Sequence, residues 1–472
     1  MADLSAIAEM KPLQRGREVG DRGNCLMAEA RLWIALAMAA LAAAGVFALM
    51  LALSRVPGID SIVAWPLNFF SKGLVIHVVF SLIVWFLAVF ALLTTLATAQ
   101  IETIGDPPLS WLGIAGTSLM VAAFPLLFLP AFLDDSIASL NNYIPVIDHP
   151  SYHLGLGLLF AGTLCPVLRL AGRLVVAHRP GTPLTFAMAV GGLVYTSALV
   201  CFAVALWLST EHSDLQRFHE HIFWGGGHVM QILNTLLLLT GWFMLTRETL
   251  GTNSISDSTF RLATAVLAGA ALAAPLIYVA FPPFSTQQRE AFRLLQFVLG
   301  LPALLVAIPA MAAALSSYRR SGLPWSDPAF LSLALSITVF GTGGTMGFFI
   351  DGADTRTPAH YHAMIAAVNL ACMGLLLRIV LPRLSSPPRP GKRLRWQIAL
   401  FGFGQFAACI GLFWAGGYGA PRKVAAGAYR LLDSAAAGMY LNGIGALVAV
   451  IGGIMFVLTV LATFRTKAAP AR

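Results

Sequence analysis

The stretch Pro358-Ala359-His360-Tyr361-His362-Ala363-Met364 stands at the entrance of a long apolar run and decides how the whole chain is read. Two histidines two residues apart on a helix project about 200° from one another, because each residue turns the helix by about 100°. One helix so equipped can give an imidazole to a metal centre on one side and a second imidazole to a centre on the other. Ionisable side chains inside a membrane span are costly, so such a pair marks a site by default. In the competing reading both rings hydrogen-bond to neighbouring helices near a water interface.

Around this stretch lie 472 residues, 58% of them hydrophobic and only 11% charged, with a mean hydropathy of +0.79. Apolar runs of about 20 residues suffice to span a bilayer as helices. Twelve such runs occur, at roughly 31–54, 69–99, 109–133, 151–177, 185–209, 218–246, 260–281, 291–316, 328–351, 357–382, 396–416 and 436–464. They are long and lack a two-residue alternation, so helices are preferred to barrel strands. The expected fold class is all-α, a polytopic membrane protein with about twelve transmembrane helices in contact with lipid.

With an even number of spans both termini share a side. The 30 Lys and Arg residues favour that side, through Lys11 to Arg31, Arg169, Arg173, Arg179, Arg319, Arg320 and the run Arg378 to Arg395. The positive-inside rule therefore puts both termini in the cytoplasm. The net charge of +9 is a topology signal and not a nucleic-acid signal, since no basic face with interleaved aromatics appears. The first 30 residues are polar and contain no signal-peptide core. The expected organisation is a polar cytoplasmic segment at 1–30, a twelve-helix transmembrane domain at 31–466 and a cytoplasmic tail at 467–472. The five cysteines, Cys25, Cys165, Cys201, Cys372 and Cys409, show no metal-ligand spacing and no C-x-x-C-H for a covalently attached haem.

Polar residues inside the spans carry the functional reading. His77 lies about two turns into the second run. The loop between the third and fourth runs carries Asp134, Asp135, Asp148 and His149 and reads as an acidic outer surface, with His149 and His153 interfacial and not ligating. His178 beside Arg179 reads as solvated. The sixth run opens with Phe218-His219-Glu220-His221-Ile222-Phe223-Trp224-Gly225-Gly226-Gly227-His228. Three consecutive glycines in a span suggest that something bulky approaches the backbone, and a flat cofactor meets that need. A tight helix crossing is the alternative. His221 and His228 share a face, whereas His219 points away.

The ninth run adds a second stripe of small residues, Gly341-Thr342-Gly343-Gly344-Thr345-Met346-Gly347. The loop before the twelfth run contains Pro421-Arg422-Lys423, two adjacent cations on the side that the charge bias disfavours. They call for an anionic partner, either carboxylates of a buried cofactor or lipid headgroups. His77, His228, His360 and His362 all fall in the outer parts of even-numbered runs, with the cations above them. One layer of imidazoles under a cationic rim suggests one or two haems with propionates directed outward.

These residues resemble subunit I of the haem-copper oxidase superfamily, the catalytic subunit of cytochrome c oxidases, quinol oxidases and nitric oxide reductases. The resemblance covers all twelve runs. It implies that His77 and His362 are axial ligands of a low-spin haem, that His360 is the proximal ligand of a high-spin haem, and that His228 belongs to a second, non-haem metal of copper or iron. Arg422 and Lys423 resemble the element that holds haem propionates. It further implies a bacterial-type inner (plasma) membrane, reduction of a bound gas with O2 as the usual substrate, and cytochrome c or quinol as donor, with a second subunit.

The departures from that pattern are equally specific. The seventh run reads Ala274-Pro275-Leu276-Ile277-Tyr278-Val279, without the His-His pair that supplies the other metal ligands. A site of that kind expects about three imidazoles. Met230, Ile232 and Ala313 stand where the family carries a carboxylate, a tyrosine and a lysine, and the glutamates of nitric oxide reductases are missing. Three functions follow: a gas-reducing respiratory enzyme, a divergent nitric oxide reductase, or a haem electron-transfer or sensing subunit without gas reduction. The second metal, with one ligand where three are expected, should be weak or absent.

Overall fold

The computed structural model describes residues 17–56, 58–62, 67–101, 109–176, 181–209, 214–350, 352–384, 391–424 and 430–465. Among them are twelve helical spans long and apolar enough to cross a membrane. In chain order these are α1 (Leu26–Ser54), α2 (Phe69–Ile101), α3 (Ser110–Phe132), α4 (Pro150–Val176), α5 (Pro183–Leu208) and α6 (Leu215–Leu250). There follow α7 (Asp257–Ala280), α8 (Thr286–Ser321), α9 (Pro328–Gly347), α10 (Arg356–Leu384), α11 (Lys392–Gly417) and α12 (Asp433–Phe464). They match the twelve apolar runs of the sequence. The helix containing α1 starts at Arg17, so it extends back into the segment 1–30 read as polar. His178, Arg179 and the tail 467–472 lie outside the described residues.

Local chemistry sets where spans begin. Asp214 caps α6 by accepting from the Arg217 amide, Ser256 caps α7 through Thr259, and Asp327 caps α9 through Ala329. Each satisfies a donor that the first helical turn would leave unpaired. Span α8 starts five residues earlier than its apolar run, because Ser285 caps a polar first stretch, Thr286–Leu295, that continues into the membrane segment.

The chain forms two compact units. One takes in the chain up to Ala37, Ile83–Phe243 and Leu250–Ala313. Within it α3 packs on α4, α5 packs on α7, and the C-terminal part of α2, Trp85–Ile101, packs on α4 and α5. The Tyr195 hydroxyl donates to the Phe160 carbonyl at 2.8 Å, and Ser197 to the Ala271 carbonyl at 2.5 Å. A buried ion pair, Arg169 with Glu29 at 2.7 Å, is completed by the Thr95 hydroxyl at 3.0 Å from the same carboxylate. Between α3 and α4 a small antiparallel hairpin pairs β1 (Ile137–Ser139) with β2 (Val146–Asp148), with Ile137 opposite Asp148.

The other unit takes in Met38–Leu82, Met244–Thr249 and the chain from Ala314 onward. Here α10 packs on α9 and α11, and α11 packs along α12. Ser332 and Ser336 of α9 donate to the Leu370 and Ala367 carbonyls of α10 at 2.5 and 2.6 Å. Glycine lets α11 and α12 touch backbone to backbone: a Cβ at Gly411 would stand 2.5 Å from the Gly438 carbonyl oxygen, and one at Gly438 would stand 2.7 Å from that of Gly411. Lipid tails are as apolar as leucine, so such van der Waals contact drives association of helices in a membrane. Both α2 and α10 carry a π-helical stretch, Val79–Val84 and Leu376–Val380, that shifts the face each helix presents beyond it.

Candidate functional site

In the second unit, His77 of α2 and His362 of α10 face each other with ring centres 6.4 Å apart and planes 13° from parallel. Two imidazoles that held one iron from opposite sides, with bonds of about 2.0 Å and each nitrogen about 1.1 Å from its ring centre, would have ring centres about 6.2 Å apart. Nδ1 of His77 donates to the Ala44 carbonyl at 3.1 Å, which orients the ring and leaves Nε2 with its lone pair. His362 makes no hydrogen bond to a described residue. This donor set fits an axially ligated haem.

The environment agrees with the spacing. His77, His360 and His362 are each partly exposed, yet their chain neighbours Val75, Ile76, Ala359 and Ala363 are at most 1% exposed. The three rings are therefore accessible in stretches whose neighbouring side chains are buried. His360 points away from His362 across its helix. Its Nδ1 donates to the Gly343 carbonyl at 2.7 Å, again leaving Nε2 free as a ligand atom. The ninth-run stripe makes that position possible, because a Cβ at Gly347 would lie 3.0 Å from His360 Cε1 and Nδ1.

The segment that carries Arg422 and Lys423 is fastened to the start of the helix that carries His360 and His362. The Thr355 amide donates to the Ala420 carbonyl at 2.9 Å, Asp354 and Pro421 form a β-bridge, and Arg422 donates to the Gly352 carbonyl at 3.2 Å. Asp354 is held by Arg356 at 2.6 Å. Lys423 follows in a left-handed conformation, φ 60°, which a lysine rarely adopts. These contacts place Arg422 and Lys423 about two turns before His362 along the helix direction.

His228, in the first unit, is differently set. It is 1% exposed, and both ring nitrogens are engaged: Nδ1 donates to the Trp224 carbonyl at 2.6 Å, and Nε2 accepts from the Tyr143 hydroxyl at 2.7 Å. Tyr143 comes from the turn between β1 and β2. Burial, with the Glu220 carboxylate nearby, pushes its phenol pKa up, so it stays a donor. The space expected for a flat cofactor at Gly225–Gly227 is filled by protein: a Cβ at Gly225 would strike the Tyr278 hydroxyl, one at Gly226 the Phe202 ring, and one at Gly227 Tyr143. His221 stacks on Phe284 at 4.1 Å, and Met230 and Ile232 are buried packing residues. Among the described residues His228 belongs to no group of three or more His, Cys, Asp or Glu side chains close enough to share one metal ion.

Two features had no local signal in the sequence. Tyr143 is a lone tyrosine in a loop, and its bond to His228 spans 85 residues. His219 is buried beside His153 and Asp148, residues read as surface from the sequence alone.

Twelve spans in this arrangement define a membrane protein of the terminal-oxidase architecture. A solved haem-copper terminal oxidase dimer contains a chain of the same fold, with a TM-score of 0.77 and 18% identity, covering 94% of this chain and 85% of that one. The chain belongs to the family of cytochrome c and quinol oxidase polypeptide I, matching it over residues 29–455. It is 27% identical to cytochrome c oxidase subunit 1 of Thermus thermophilus over 75% of this chain and 68% of that protein. An uncharacterised protein of Rickettsia prowazekii is 25% identical over 91% of this chain and 94% of its own length. One from Aquifex aeolicus is 26% identical over 73% and 82%.

Proposed function

We propose that this chain is a membrane-bound haem oxidoreductase of the subunit I type, with His77 and His362 holding a low-spin haem and His360 the proximal side of a high-spin haem where a gas, O2 by the family's chemistry, is reduced. The opposed His77 and His362 rings, at the separation of a bis-imidazole iron, carry this reading. The haems supply one-electron transfer and, on the iron with one protein ligand, a position for the gas. The chain's own residues do the rest. Ala44 and Gly343 hold His77 and His360 by their Nδ1 protons, so that each presents the same ring nitrogen inward. Arg422 and Lys423 neutralise propionates at the outer rim. The haem-binding domain is 31–466, in a bacterial inner membrane with both termini cytoplasmic, and cytochrome c or quinol, with a second subunit, delivers electrons.

One observation favours a second reading. The lone pair of His228 is taken by Tyr143, so a distal copper or iron would have to displace a buried hydrogen bond and then find ligands elsewhere. A chain with haems but no second metal serves electron transfer or sensing. Metal content and spectra of the purified protein decide. Two haems per chain are expected, with a low-spin signal that vanishes in His362→Ala while a CO-binding high-spin haem remains. Tightly bound stoichiometric copper marks the oxygen reductase, and haem alone marks the second reading. A low-spin spectrum unchanged in His362→Ala overturns the assignment.

A further inference from the structure

Away from these histidines, the first unit gathers one carboxylate and two imidazoles from three separate elements. Asp148 ends β2, His153 lies in the first turn of α4, and His219 lies in the first turns of α6. Their ligand atoms all fall within 4.8 Å of one another. His153 Nε2 and Asp148 Oδ1 are already 3.1 Å apart, close to the edge of about 3.4 Å in a tetrahedral shell of imidazole and carboxylate ligands. The His153 and His219 ring centres are 5.6 Å apart.

His219 supplies an independent observation. It is 1% exposed, and its Nδ1 is buried without a hydrogen-bond partner. An imidazole nitrogen withdrawn from water and left unpaired is costly, and a metal ion resolves that cost. The other two side chains, 41% and 39% exposed, can rotate to close the shell. Their backbones are held in place: Val146 and Ile147 are fully buried beside Asp148, and Glu220 accepts from the Asn142 amide at 2.9 Å and from its side chain at 2.5 Å.

We propose that Asp148, His153 and His219 form a binding site for one divalent transition-metal ion, with zinc as the fitting ion and the exposed side left open to water. Two imidazoles disfavour calcium and magnesium, which take oxygen ligands, and a carboxylate with two imidazoles suits zinc. The ion ties the β1–β2 loop to the starts of α4 and α6. Because Tyr143 sits in that loop, the same ion steadies the hydrogen bond that closes His228.

The test uses the full chain in detergent, stripped with a chelator and dialysed against zinc. One zinc per chain should bind, with a zinc-edge absorption spectrum showing two imidazoles. His153→Gln and Asp148→Asn should each weaken binding by about tenfold or more, with the haem spectrum, read in the same samples, unchanged. His219→Ala should abolish it; if that variant does not fold, the two exposed-ligand variants decide. Failure to bind zinc, or unchanged affinity in both exposed-ligand variants, overturns the proposal and leaves the haem reading untouched.

Discussion

His77 and His228 are both histidines on helical spans, yet the structure treats them in opposite ways. His77 is partly exposed, has one nitrogen tied to a carbonyl and faces a second imidazole at the span of a metal bridge. His228 is sealed at 1% exposure with both nitrogens satisfied by the protein, and the glycines beside it are packed with aromatic rings. The difference lies in the lone pair: His77 has a ring nitrogen left over for a ligand, whereas His228 has both nitrogens in hydrogen bonds to protein. Where a neighbouring hydroxyl takes that lone pair, the same residue becomes part of the packing.

The largest expected difference tests that contrast directly. His77→Ala should eliminate the low-spin haem and with it electron entry, whereas His228→Ala should retain full haem content and the low-spin spectrum; haem quantitation and low-temperature spectra of the two variants check both. Equal haem loss in the two would erase the distinction. Next in size is Tyr143→Phe, which leaves the buried Nε2 of His228 unpaired and should cost about 1–3 kcal/mol of stability, read as a lowered unfolding temperature of the detergent-solubilised chain. Loss of the low-spin haem in that variant would show that the two regions are not separable. Smallest is Arg422→Gln, which should lower a haem midpoint potential by tens of millivolts with no loss of haem, because a nearby cation favours the reduced iron. A redox titration with no downward shift would assign that cation to lipid instead.

Much of this was legible in residue order. The opposed directions of His360 and His362 follow from helical pitch alone, and the structure has one ring on Gly343 and the other on His77. The ninth-run glycines allow close approach, for His360 rests against Gly347. The glycines at 225–227 carry the same local signal with another meaning. Composition tells that something comes close to a backbone lacking Cβ atoms, but not whether it is a cofactor or the rings of Tyr278, Phe202 and Tyr143. Gly438, Gly445 and Gly452, spaced seven residues apart on α12, all meet the backbone of α11, a contact that only the packed pair of helices reveals.

The sequence by itself determined the twelve spans, the small-residue stripes and the face on which each histidine of the tenth span points, since span length, helix pitch and the absence of a Cβ are properties of consecutive residues. Tertiary structure alone decided that Tyr143 closes on His228, that Asp148 and His153 meet the buried His219, and that the His77 and His362 rings stand 6.4 Å apart. Those pairings depend on hairpin register and on which loop folds over which helix end. Each joins residues tens to hundreds of positions apart, and no local periodicity encodes them.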